Sequence, residues 1–294
     1  MENRMGCKST AFFAKHQLNC RRGILKIDHP LVMGILNITP DSFYDGGFYP
    51  GISAILDRVE QMITQGAEII DLGAVSTRPG AAEVPASEEE RRLMPVLAEI
   101  RKKFPGILLS VDTYRSVVAR KAIDLGADMI NDISAGRFDR GMIPLVSRER
   151  VPYVMMHIQG NPATMQDNPV YQDVVREVYQ FFTERIAAAT GEGVGDIMVD
   201  PGFGFGKTVE HNFQLLARLD RFLTFNRPVV VGLSRKSMIN KVLRTRPSEA
   251  LNGTTVLNTM AVLKGAHILR VHDVKEAAEV VALCREYVAN EGHS

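Results

Sequence analysis

VMGILN, residues 32–37, is a short apolar run that closes on a polar side chain, and the same phrase recurs along the chain. It returns as 68-EIIDLG-73, 107-ILLSVDT-113, 129-MINDI-133, 153-YVMMH-157, 197-IMVDP-201, 229-VVVGLSRK-236 and 268-ILRVHD-273, making eight runs. Most are too continuously apolar for strands with one wet face, and they suit a parallel sheet covered on both sides. Helical patterns lie between them. Ile52, Ile55, Leu56, Val59, Met62 and Ile63 share one helix face, and the pattern stops at Gly66. Ser87-Glu88-Glu89-Glu90 reads as a capping box before Leu93, Val96, Leu97 and Ile100, with Pro95 expected to bend that helix or shift its start. A long helix is expected over Val170–Thr190, after Asn168-Pro169. Gly66-Ala67, Gly126-Ala127 and Gly265-Ala266 each close a helix just before a strand, an internal echo of one repeating unit.

Eight strand–helix units over residues 31–294 predict a (β/α)8 TIM barrel, a fold whose usual size is ~250 residues. The alternative, an open doubly wound sheet, places a glycine fingerprint after its first strand. Here the first strand runs into Asn37-Ile38-Thr39-Pro40 instead. Residues 1–30 are expected to form a tail and a small hairpin around Leu18–Ile27 that caps the barrel bottom, with 31–294 as a single barrel domain.

Composition is that of an ordinary globular chain, 45% hydrophobic and 23% charged. A net charge of +1 gives no bulk case for nucleic acid or an acidic membrane surface. No apolar run approaches the ~20 residues of a membrane helix, and Ala11-Phe12-Phe13-Ala14 is too short for a signal-peptide core. Met5-Gly6-Cys7-Lys8-Ser9-Thr10 matches a myristoylation pattern that would count only if translation began at Met5. Three cysteines without metal-type spacing fit a reducing cytoplasm.

Val199–Thr208, VDPGFGFGKT, looks at first like a phosphate-cradling loop. The nucleotide P-loop requires glycine five residues before its Gly-Lys-Ser/Thr, and Pro201 stands there with no N–H to offer. The even spacing of Gly202, Gly204 and Gly206 also misses the dinucleotide fingerprint. Lys207 is therefore expected to be a solvated surface lysine.

A barrel carries its chemistry on the residues that end its strands. Those ends are Asn37, Asp71, Asp112, Asn131, His157, Asp200, Ser234-Arg235-Lys236 and Arg270-Val271-His272. An aspartate after a strand is often only a helix cap, and a lone histidine is more often structural than catalytic. Polar or charged groups at all eight ends carry more weight. Asp112, Asn131, Asp200 and Lys236 can ring a flat heterocycle with amide and amino edges. Arg270, His272 and Asn37 can meet an anion such as a diphosphate, and strands eight and one adjoin in a closed barrel. The loops 39-TPDSFYDGG-47 and 76-STRPGAAEVP-85 read as lids at the same mouth.

Taken together, MGILNITPDSFYDGG, STRPGA, SVDT, INDI, MMHIQGNPATMQ, DPGFGFGK, GLSRKS and RVHDVKE resemble the dihydropteroate synthases of the folate pathway, from about residue 18 to 285. That resemblance implies condensation of 6-hydroxymethyl-7,8-dihydropterin diphosphate with p-aminobenzoate, releasing diphosphate. It implies a pterin pocket of Asp112, Asn131, Asp200 and Lys236, walls of Met156 and Phe205, and Arg270 stacked on the pterin plane. Asn37, Thr77, Arg270 and His272 would meet the diphosphate, and Mg²⁺ would bridge the Asn37 side-chain oxygen to it. p-Aminobenzoate would lie against Thr77, Arg78, Pro79, Phe205, Lys236 and Ser237. The resemblance also implies a cytoplasmic homodimer of the sulfonamide-target type. One departure stands out. Many bacterial members read Gly-Gly-Glu before Ser-Thr-Arg-Pro, where this chain has Gly73-Ala74-Val75, and the difference bears on the motion of the second loop.

In such a reaction, breaking the C–O bond first would leave a pterin cation stabilised by its ring nitrogens, so that catalysis is mostly charge placement. An arylamine is neutral at pH 7, so no strong base is required. The rival reading is a pterin- or folate-dependent methyltransferase on a similar barrel, which would have no use for STRPG and SRKS. A catalytically silent pterin-binding protein would have no use for Asn37, Lys236, Arg270 and His272.

Overall fold

The computed structural model describes residues 14–38, 50–75 and 84–290. Thr77, Arg78, Pro79, the loop 39–47, most of the loop 76–85 and the Met5–Thr10 pattern lie outside them.

The strands are β1 (His16–Cys20), β2 (Gly23–Ile27), β3 (Leu31–Asn37), β4 (Ile69–Gly73), β5 (Leu108–Asp112), β6 (Met129–Asp132), β7 (Tyr153–Met156), β8 (Ile197–Asp200), β9 (Val230–Val231) and β10 (Ile268–Val271). The helices are α1 (Pro50–Thr64), α2 (Ala86–Lys103), α3 (Ser116–Asp124), α4 (Met142–Glu149), α5 (Val174–Gly191), α6 (Val209–Ala217), α7 (Ser237–Leu243), α8 (Leu251–Leu263) and α9 (Val274–Asn290). Short 3₁₀ turns follow α6 and α7. The sheet order is β8-β7-β6-β5-β4-β3-β10-β9. A parallel bridge between Val199 and Val229 closes the ring. This is the expected (β/α)8 barrel.

Two apolar shells follow from the period of two along each strand. One set of side chains faces inward at the barrel bottom: Leu31, Met33, Ile69, Met129, Val154, Met198, Val230 and Ile268. The alternate set, including Val32, Ile70, Leu109, Ile130, Met155, Val199 and Leu269, faces outward under the helices. Both faces are dry, which is why the strands read as nearly unbroken apolar runs. The hairpin β1–β2 is antiparallel, and its Leu18 and Ile27 join the inner cluster as a plug. Each such side chain contributes about 1.5–3 kcal/mol by leaving water. At the same end the His267 ring contacts the Ala14 carbonyl at 3.1 Å.

The glycine–alanine echo is a repeated helix stop. The amides of Gly66, Gly126 and Gly265 bond to Ile63, Ile123 and Val262, and the following alanine amides reach Met62, Ala122 and Ala261. This double bond pattern requires a left-handed residue, and the glycine at position 66 has φ +103°.

Three local expectations are corrected. No capping box opens α2: Pro85 occupies the N-cap position without a side-chain bond, and the helix begins before Ser87 can cap it. Glu88 instead bonds Arg91 and Arg92 at 2.6 and 2.7 Å. Pro95 lies inside α2 and does not set its start, which is at Ala86. The long helix starts at Val174 rather than Val170, because Asp173 accepts the amides of Val175 and Arg176 at 3.0 Å each. The run 229–236 is strand only at Val230–Val231. Beyond it the chain turns, with Arg235 at φ +56° and the Lys236 amide on the Leu233 carbonyl.

Candidate active site

Two residues beyond four members of the inner apolar cluster, the same face of the strand turns polar. Ile69 is followed by Asp71, Met129 by Asn131, Met198 by Asp200, and Ile268 by Arg270. The apolar layer forms the floor of a pocket and the next layer forms its walls. The pocket is lined by Asp112, Asn131, Met156, Asp200, Phe205, Lys236 and Arg270 together with Ile133, Phe203 and Gly232. The space between these walls, including the part open to solvent, is about 320 Å³.

Arg270 organises the walls. Its Nε donates to Asp71 Oδ2 at 2.6 Å and its Nη2 to Asp112 Oδ2 at 2.7 Å. Asn131 Nδ2 donates to the same Asp71 oxygen at 3.2 Å. Burial would lower the Arg270 guanidinium, but the carboxylates of Asp71 and Asp112 outweigh it and raise it. Burial pushes Asp112 up to about 7 against the pull of Arg270, and the neighbouring Asp71 pushes the same way. Burial likewise raises Asp200, although the Gly202 amide donates to its Oδ1 at 2.7 Å. Lys236 is lowered to about 8 by burial and by Arg270, and its Nζ lies 4.2 Å from the centre of the Phe205 ring. The pocket therefore holds both signs of charge in a dry setting where hydrogen bonds to charged groups are strong.

The turn after β8 shapes one wall. A Cβ on Gly202, at φ +71°, would lie 1.9 Å from the His157 carbonyl oxygen, so only glycine lets the turn pack there. Lys207 is not a surface residue: it is 3% exposed. Its Nζ bonds His157 Nδ1 at 2.9 Å and the carbonyls of Gly202 and Phe205 at 2.9 and 3.1 Å. The turn curls back over the side chain, which spacing along the chain does not reveal. His157 consequently serves that lysine and does not line the pocket.

At the rim, Ser234 Oγ accepts the His272 amide at 3.2 Å and sits 3.0 Å from its Nδ1. Arg58 donates to the His272 carbonyl at 3.0 Å. Burial, with Arg270, holds the His272 imidazole down near 4, so it is neutral at pH 7. Asn37 ends β3 with an exposed side chain. It faces Gly73 across the ladder, and a Cβ there would be 3.9 Å from both Asn37 Oδ1 and Asp112 Oδ2. Ser237 is exposed at the start of α7, beside Lys236 but outside the pocket lining. Ala74, at the departure from the bacterial pattern, is buried, and its carbonyl accepts from Arg92.

Asp71 is the participant that the reading of strand ends left without a task. Its signal was present: an aspartate between isoleucine and leucine in a strand buried on both faces must have a buried partner.

The geometry suits a flat, polar bicyclic ring held edge-on by carboxylates and an amide, with cations at the mouth for an anionic tail. Comparison with known proteins agrees. The family model described as pterin binding enzyme matches residues 33–272. The chain is 47% identical over 259 residues to the dihydropteroate synthase of Escherichia coli (strain K12), covering 87% of this chain and 91% of that one. It is similar to the Yersinia pestis dihydropteroate synthase solved with a sulfonamide drug complex, with TM-score 0.87 and 39% identity over 93% of this chain and 100% of that chain. It is also similar to Xanthomonas albilineans dihydropteroate synthase with 4-aminobenzoic acid, with TM-score 0.87 and 41% identity over 94% and 99%.

Proposed function

This chain belongs to the dihydropteroate synthases of the pterin-binding enzyme family, and from that premise we propose how its own residues condense 6-hydroxymethyl-7,8-dihydropterin diphosphate with p-aminobenzoate to 7,8-dihydropteroate. The observation that carries the reading is the convergence of Asp112, Asn131, Asp200, Lys236 and Arg270, from five different strand ends, on one pocket. Asp112 and Asp200 accept from the ring N–H and amino edge of the pterin, Asn131 pairs with its amide, and Met156 and Phe205 close on its faces. Lys236 donates to a ring acceptor. Arg270, hinged on Asp71, lays its guanidinium against the ring at the rim.

The departing diphosphate meets Arg270, the neutral His272 and Asn37 at the mouth. Thr77 joins them in this reading, as do Arg78 and Pro79 for p-aminobenzoate beside Phe205, Lys236 and Ser237. Loss of diphosphate precedes attack, and the two carboxylates favour the electron-poor ring that results. The neutral arylamine then needs positioning more than a base. Asn37 offers one neutral oxygen, and the described residues form no three-ligand His/Cys/Asp/Glu cluster. That donor set suits Mg²⁺ brought by the diphosphate, since Mg²⁺ usually keeps waters and binds through few protein ligands plus substrate phosphates. When bound there it would neutralise the developing charge of the leaving group.

A homodimer is part of the same reading. Helix α8 buries Leu257, Ala261 and Val262 on one side, yet exposes Val256, Met260 and Leu263, and α9, which packs against it, exposes Leu283 and Tyr287. Apolar side chains left exposed in a cluster are ones that expect a second cover. A cytoplasmic location completes it, supported by the free thiols of Cys20 and Cys284. No helix among the described residues is long and apolar enough to cross a membrane. Relatives named as dihydropteroate synthases favour condensation over methyl transfer.

Incubation with pterin diphosphate, Mg²⁺ and p-aminobenzoate tests the activity. Diphosphate and dihydropteroate should form in equal amounts. Pterin bound but neither product formed would overturn the reading.

A further inference from the structure

Lys207 has no task in the reaction as described, yet its ammonium is buried inside the turn that builds one pocket wall. An ammonium has three N–H donors, and here three acceptors are in reach: the carbonyls of Gly202 and Phe205, and His157 Nδ1. The His157 carbonyl lies farther off, at 3.5 Å. Among the described residues no carboxylate makes an ion pair with it. A charge taken out of water this completely is tolerated only when each donor is used. Burial nevertheless lowers it to about 7, against the opposing pull of Asp200.

What the ammonium holds is informative. Gly202 gives the ammonium its carbonyl, and the amide of the preceding peptide, Pro201–Gly202, donates to Asp200 Oδ1 at 2.7 Å. Holding Gly202 from its carbonyl side therefore steadies the adjoining amide, which fixes one oxygen of Asp200 and leaves the other for a ligand. The Phe205 carbonyl belongs to the residue whose ring lines the pocket and meets Lys236. His157 follows β7 directly, one residue after Met156 on the adjoining wall. A single cation thus ties the β7 and β8 walls together from behind.

We propose that Lys207 is a positioning residue, a built-in cation that fills a nest of backbone carbonyls and thereby aims Asp200 and Phe205 at the pterin ring. The glycines of the turn let the carbonyls converge, and the lysine takes the place that a bound ion would otherwise fill. The resemblance of this stretch to a phosphate loop is therefore inverted: its lysine points back into the protein and binds carbonyls. This inference rests on the pterin reading of the pocket.

Two measurements test it. Histidine ¹⁵N NMR of the wild-type protein at neutral pH should show His157 protonated on Nε2, with Nδ1 accepting from Lys207. Protonation on Nδ1 would overturn the proposal without any variant having to fold. Lys207→Met keeps the length and removes the donors. Its affinity for the pterin diphosphate should fall by roughly tenfold or more, the scale of a lost hydrogen bond to a charged group. Ammonium or methylammonium should restore binding to Lys207→Ala, and tetramethylammonium at equal ionic strength should not. A fall in turnover with pterin affinity unchanged would mark Lys207 as a fold-stabilising residue only and overturn the proposal. A wild-type protein that binds no pterin would instead end the substrate reading, while the His157 tautomer would still report on the lysine.

Discussion

Arg270 and Asp71 stand 199 positions apart in the chain and meet inside the barrel, Nε to Oδ2 at 2.6 Å. Asp71 is fully buried, and its oxygen also takes the Asn131 amide. Removing one member of a buried charge pair leaves the other uncompensated. Asp71→Ala should therefore lower unfolding free energy by about 3 kcal/mol, read from urea denaturation. The loss should shrink in the Arg270→Met background. An equal loss in both backgrounds would show that the two side chains are not coupled.

Asp200 faces the pterin in the proposed pocket, while p-aminobenzoate lies nearer the surface. Asp200→Asn should weaken pterin binding far more than p-aminobenzoate binding in equilibrium titrations. Equal effects on the two ligands contradict the assignment.

Gly202 offers a sharp contrast with Gly191. A methyl at Gly202 collides with the His157 carbonyl, and its φ of +71° is one that L residues rarely adopt. A methyl at Gly191 meets nothing within 4 Å. Gly202→Ala should cost about 3 kcal/mol or more and abolish pterin binding, whereas Gly191→Ala should change stability by no more than about 1 kcal/mol. Chemical denaturation of both variants checks the pair.

His267 links pH to stability at the barrel bottom, away from the pocket. Burial, with His16, lowers its imidazole to about 4 in the folded chain, while an unfolded histidine titrates near 6.5. Between those values the unfolded chain binds more protons, so stability present above pH 6.5 is lost as pH falls toward 4. The loss from this group is on the order of 3 kcal/mol. His267→Gln should flatten the stability–pH curve in that window, measured against wild type. An unchanged slope would mean His267 is not the group responsible.

Met260 is 47% exposed on the outer side of α8. In the proposed homodimer, Met260→Glu should shift the sedimentation-velocity profile toward monomer while leaving secondary structure intact. A wild-type protein that is monomeric at micromolar concentration removes the α8 interface from the reading.

The eight strands and the pocket residues at their ends were legible in the sequence, because burial on both faces imposes unbroken apolar runs and because a barrel presents its chemistry where those runs stop. Asp112, Asn131, Met156, Asp200, Phe205, Lys236 and Arg270 do line one pocket. Local stops were read unevenly. The glycine–alanine helix ends could be read from two adjacent residues. The start of α5 at Asp173 and the uncapped start of α2 could not, since neighbouring polar residues compete for the same amides.

Chain order alone determined which side chains alternate toward the barrel axis, since a strand has a fixed period of two. The tertiary structure decided which of them meet. Strand register brought Asp71 under Arg270, and the bridge of Val199 to Val229 turned a sheet into a ring. The folding-back of a glycine turn enclosed Lys207, which local spacing had placed in water. A repeat along the chain is a short-range property, whereas a contact between distant residues depends on how whole elements dock, and only the closed barrel specifies that.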